Sequence, residues 1–227
     1  MREAQTLDII PSGIQASLDI IQYFNYYNNK FKRRNRTGAR GHFPKGRKGA
    51  GVNILFLCTG NSCRSIMAEA VFNHLAPPGM KAWSAGSHPA GYVHPRALRL
   101  LASEGISTEG LASKSQTGLS PVPDVVVTVC DNAQREGCPV YLGGALKLHW
   151  GVPDPAEASG SEDQVEAVFR EVYRILRFRI EAFLALVREG IPGFPERPMA
   201  RDREGLDRIG SLFPETIQMT DKKGKGR

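Results

Sequence analysis

The sequence predicts an α/β protein built on a parallel, doubly wound sheet, and three observations lead there. Short β-branched runs alternate with helix-periodic segments through residues 51–190. The first apolar run passes directly into a turn of small residues and then into a helix, and one long amphipathic segment closes the series. Sheets of this kind bind ligands beyond the carboxyl ends of their strands.

The elements follow in order. Val52–Leu57 is apolar apart from Asn53 and short enough for a buried strand. Ser65–Ala76 carries Ile66, Ala70, Val71 and Leu75 at helical spacing, and Pro77-Pro78-Gly79 stops it. Met80–Ala85 is a second strand; Pro95–Glu104 is a helix with proline in its first turn and Gly105 past its end. Asp124–Val129, with four valines and a threonine, is the strongest strand pattern, and Ala145–Trp150 forms a short fourth strand. Ser161 and Gln164 make a capping box for a long helix bearing Val165, Val168, Phe169, Val172, Ile175, Leu176, Phe183 and Leu186, closed by Gly190 and Pro192.

Charge divides the 227-residue chain in the same places. The net +7 resides in residues 1–50, where ten Lys/Arg face Glu3, Asp8 and Asp19; residues 51–190 hold twelve basic and fourteen acidic residues, and residues 191–227 eight and six. Residues 1–50 read as a basic, disordered extension with a weak helix around Ile14, Leu18 and Ile21, or as an untranslated stretch if synthesis starts near Val52. Residues 191–227 read as a flexible tail. With no apolar run of about 18 residues and no secretory leader, the expectation is a cytoplasmic protein away from membranes. A mildly acidic central domain argues against a nucleic-acid partner, and a monomer is expected.

The chemistry is concentrated in Cys58-Thr59-Gly60-Asn61-Ser62-Cys63-Arg64-Ser65, between the first strand and its helix. Backbone N–H groups of Thr59, Gly60, Asn61, Ser62, Cys63, Arg64 and Ser65, the helix dipole and the Arg64 fork together make a cradle for a tetrahedral oxyanion. The same field is expected to lower the Cys58 thiol pKa and make it a nucleophile. Cys63 reads as a packed small hydrophobe despite its place in the loop. Asp154, held between Pro153 and Pro155 after the fourth strand, is the best candidate for a proton donor. His149 and Trp150 read as structural. The loop does not distinguish hydrolysis of the oxyanion from its reduction.

Leu57–Ser65, Met67-Ala68-Glu69, Ser84-Ala85-Gly86, His149-Trp150-Gly151 and Asp154-Pro155 resemble the arsenate reductases built on the low-molecular-weight tyrosine phosphatase fold, over residues 52–187. The resemblance implies a three-layer domain with a four-stranded parallel sheet, arsenate as substrate, and a relay of three cysteines. Two thiols can supply the two electrons that As(V) requires, and Cys130 and Cys138, with seven mostly polar residues between them, match the relay positions. Cys58 would attack arsenate, Cys130 would attack Cys58 and release arsenite, and Cys138 would take over the disulfide. Thioredoxin is the reductant implied, with glutaredoxin or glutathione as alternatives; no bound cofactor or metal is expected. Ala156 and Glu157 stand where the phosphatases of this fold resemble one another in carrying tyrosines. This favours arsenic detoxification over tyrosine phosphatase activity, which stays the alternative. The potassium site of thioredoxin-linked members would match Asn61, Glu69 and Ser84, but residues 113–117 lack its acidic partner, and Lys114 is expected to replace the ion.

Overall fold

The computed structural model describes residues 52–130, 144–188, 194 and 200–212. Its elements are β1 (Val52–Cys58), α1 (Arg64–Leu75), β2 (Met80–Gly86), α2 (Pro95–Ser103), β3 (Val125–Thr128), β4 (Leu146–His149), a 3-10 turn at Pro155–Glu157, α3 (Glu162–Arg188) and α4 (Ala200–Ile209). Every strand and helix expected within residues 52–188 is present, with β3 and β4 each shorter by a residue at both ends.

The strands form one parallel sheet in the order β2-β1-β3-β4. Register brings Cys58 opposite Gly86, Leu57 opposite Thr128, and Thr128 opposite His149. The carboxyl ends of all four strands therefore meet at one edge, and each following loop leaves from there. This is the four-stranded parallel sheet with flanking helices that the resemblance implies.

Alternation along β1 sorts the core. Ile54 and Phe56 join Val125, Val127, Leu146 and Leu148 on the face covered by α1 and α3, while Leu55 and Leu57 join Val126 in a smaller cluster with Trp83, Leu119 and Ala145. Aromatic rings bind the larger face: Phe56 lies 6.0 Å from both Phe72 and Trp150, and Trp150 lies 5.9 Å from Phe183. Trp150 thus packs against the sheet, as its sequence context suggests. Truncating a ring such as Phe56 would cost about 3–5 kcal/mol.

Local signals explain the helix ends. The Ser161–Gln164 capping box is formed in both directions, the Ser161 N–H donating to Gln164 Oε1 at 2.8 Å and the Gln164 N–H to Ser161 Oγ at 3.3 Å. His94 caps α2 by accepting the Arg96 N–H at 3.2 Å, and Gly105 turns the chain away at φ 72°.

One helix lies within the stretch read as a tail. Residues 200–209 form α4, with Leu206 and Ile209 fully buried and Gly205 closing on Leu186. Proline and charge dominate the composition of residues 191–208 and mask one apolar pair at i, i+3 spacing, which is enough to seat a helix once a groove exists to receive it. The expectation for residues 1–50 lies outside the described residues. Among the described residues, no helix is long and apolar enough to cross a membrane.

Candidate active site

Cys58 ends β1 at 3% exposure, and α1 begins six residues later. Between them the chain must reverse within hydrogen-bonding distance of the thiol. Asn61 makes this possible at φ 42°, a left-handed conformation that Asn tolerates better than most residues. Its N–H donates to Cys58 Sγ at 3.1 Å, and Ser65 Oγ lies 2.9 Å from the same sulfur.

The loop's carbonyls are drawn outward by a neighbouring segment. Thr59 O accepts from the His88 N–H at 2.9 Å, Gly60 O from the Ala90 N–H at 2.8 Å, and Ser62 O from the His94 N–H at 2.9 Å. No side chain caps the start of α1, where Cys63 holds the N-cap position. The first N–H groups of α1 thus have no side-chain cap, and the positive end of the helix dipole lies next to Cys58, the requirement for an anion cradle. Residues 88–94 were not identified in the sequence as part of the site, because backbone bonds carry no side-chain signature. In the sequence Gly86 carries only the family resemblance; here a Cβ on it would lie 2.4 Å from Thr59 O, so only glycine lets β2 pass this close to the loop.

Cys58 departs from expectation in one respect. Burial is the largest influence and pushes its thiol above the ordinary value, while the Ser65 hydroxyl and N–H, the Arg64 charge and the Asn61 N–H pull it back. The sequence displays these donors but not the depth at which the sulfur sits. Cys63 is 2% exposed in the main core, and burial drives its thiol up to about 12, consistent with a packed small hydrophobe.

Arg64 and Asp154 come together. The guanidinium Nη2 is ion-paired with Asp154 Oδ2, and Nη1 donates to Val152 O at 3.4 Å. The second Asp154 oxygen accepts the Ala156 N–H at 3.1 Å, fixing the turn after Pro155. Cys130 arrives from the adjacent strand: the Val129 N–H bonds to Leu57 O at 2.8 Å, and Cys130 Sγ lies 3.6 Å from Thr59 Oγ1, on the residue next to Cys58. Cys138 lies outside the described residues.

Behind the loop runs a polar chain. Asn61 Nδ2 donates to Ser65 Oγ and Ser84 Oγ, both at 2.8 Å; the Ser84 hydroxyl donates to Glu69 Oε2 at 2.5 Å; and Lys114 Nζ stands 3.1 Å from the same carboxylate oxygen. The Lys114 N–H also donates to Asn61 Oδ1 at 2.6 Å. These groups do not fit a potassium ion, because the Lys114 ammonium already supplies the positive charge facing Glu69.

Residues 53–191 match the low molecular weight phosphotyrosine protein phosphatase family. An arsenate reductase of Halalkalibacterium halodurans is 37% identical over 131 residues, 57% of this chain and 93% of the relative. One from Bacillus subtilis is 35% identical over the same shares. Among solved structures, YfkJ from Bacillus subtilis is 25% identical with a TM-score of 0.51, covering 63% of this chain and 98% of its own. An arsenate reductase in the oxidized state is 25% identical with a TM-score of 0.50, covering 59% and 96%. With residues 53–191 matched, the chain belongs to the low molecular weight phosphotyrosine protein phosphatase family, and the two curated relatives above are arsenate reductases.

Proposed function

We propose that this protein reduces arsenate to arsenite through Cys58, Cys130 and Cys138. The observation that carries the reading is the second thiol: Cys130 Sγ stands against Thr59, the residue next to the nucleophile. A hydrolase needs one cysteine and water, whereas a two-electron reduction needs a partner thiol within reach of the first. The 34–37% identity to curated arsenate reductases supports the same choice.

Arsenate docks on the N–H groups of Thr59–Ser65 and takes the Arg64 fork from Asp154. Released from Arg64, Asp154 can hand a proton to the departing oxygen. A basic arsenate oxygen accepts the proton that burial holds on Cys58, and the thiolate attacks arsenic as water leaves. Cys130 then attacks the Cys58 sulfur; the As–S bond breaks, its electron pair stays on arsenic, and arsenite departs. Overall, two thiols lose two protons and two electrons, and arsenate becomes arsenite and water. Cys138 attacks Cys130 and leaves a Cys130–Cys138 disulfide for an external reductant, for which thioredoxin is the proposal.

The test is a Cys138→Ser protein given one equivalent of arsenate. Peptide mass spectrometry is expected to find Cys58 linked to Cys130; absence of that linkage, with multiple turnovers retained in excess arsenate and reductant, would remove Cys138 from the mechanism. Steady-state assays with thioredoxin, with glutaredoxin and with an aryl phosphate identify the donor and the reaction class. Aryl phosphate turnover without arsenate reduction would replace this reading with a phosphatase.

A further inference from the structure

We propose that Arg179 is a positioning residue for Asp154, and that it acts jointly with the carboxyl end of α4. The proposal rests on the reading of Asp154 as the proton donor. It gives a catalytic consequence to a segment beyond residue 191, where the family match ends.

Arg179 lies on α3 at 4% exposure, and burial pulls its pKa down to about 10, so it remains a cation at neutral pH. Among the described residues, no carboxylate pairs with it. Its Nη1 donates to Gly151 O at 3.1 Å, and its Nε donates to Leu212 O at 3.2 Å. One guanidinium thus spans the start of the Asp154 loop and the residue three beyond α4, a divergent pair of bonds suited to a planar fork rather than a single ammonium.

The loop is held at consecutive carbonyls: Arg179 takes Gly151 O from the core side, and Arg64 takes Val152 O from the active-site side. The Val152 N–H bonds to Val129 O at 3.2 Å, and Pro153 restricts the remaining freedom before Asp154. The C-terminal segment is seated equally closely. Ile209 is fully buried, and a Cβ on Gly210 would lie 2.0 Å from His149 O. The carboxyl end of β4, the C-terminal turn and the Asp154 loop are therefore joined through Arg179, and displacing any one of them shifts the acid relative to Cys58.

The test uses full-length Arg179→Met, Arg179→Lys and Gly210→Ala proteins. Without substrate, hydrogen exchange at the Val152 and Ala156 amides is expected to rise about tenfold in Arg179→Met and Gly210→Ala while β1 amides stay protected. With arsenate, kcat is expected to fall about tenfold or more at unchanged KM, within the range a positioned acid supplies. Arg179→Lys, which keeps one donor, should recover part of both. Adding Arg179→Met to an Asp154→Asn protein should lower kcat no further, because the two changes remove one function. Loop exchange equal to wild type, protection lost uniformly through β1, or additive losses in the double variant would each overturn the proposal. If the wild type does not turn over arsenate, the functional reading fails, and loop exchange alone decides whether Arg179 holds the Asp154 loop.

Discussion

Lys114→Ala removes the cation that faces Glu69 and leaves the carboxylate bonded only to Ser84 among the described residues. The Glu69 side chain is 11% exposed, whereas the Lys114 side chain is 33% exposed. Removing one partner of a fully buried pair costs about 3–5 kcal/mol and of a surface pair about 0–1. This half-shielded pair, with Ser84 still donating, falls at about 1–2 kcal/mol. For a domain of about 150 residues that lowers Tm by about 2–8 °C. The assay is thermal unfolding followed by circular dichroism in sodium buffer without potassium, with Lys114→Met separating the charge from the stem. Turnover should fall as well, since Glu69, Ser84, Asn61 and Ser65 form one chain ending on the Cys58 sulfur. Added potassium should restore part of the lost Tm in the Ala variant and leave the wild type unchanged. An Ala variant with wild-type Tm and turnover in potassium-free buffer would refute the internal-cation reasoning.

Three other outcomes are expected. Ser65→Ala removes the strongest influence lowering the Cys58 pKa, so the inflexion of iodoacetamide reactivity against pH should move to higher pH; an unchanged inflexion contradicts the 2.9 Å contact. Cys63, whose thiol is raised from 9.0 to about 12, holds its proton more tightly folded than unfolded. Its contribution is thus complete below pH 9 and lost as pH climbs toward 12. Urea titrations should show Cys63→Ala losing stability less steeply than wild type across that window. Gly86→Ala forces a methyl against Thr59 O, and should cost about 1–3 kcal/mol and reduce oxyanion affinity, read by calorimetry with arsenate; wild-type affinity would mean the loop yields without consequence.

Local chemistry sufficed for much of this protein. The run from Val52 to Leu57, the small-residue turn and the Ile66–Leu75 periodicity specify strand, loop and helix without reference to anything distant, and Cys58 with Arg64 announces an oxyanion site because six-residue spacing brackets one such turn. Asp154 was a candidate from its place after the fourth strand between two prolines, taken together with the family resemblance. The tertiary structure decided what depends on separated segments meeting. It set the burial that raises Cys58, since depth is a property of the packed sheet. It paired Arg64 with Asp154, ninety positions apart, and brought Lys114 to Glu69 across forty-five. It also turned Leu206 and Ile209 from two apolar residues in a charged stretch into the seat of α4, because an amphipathic pair forms a stable helix only where a partner surface removes it from water.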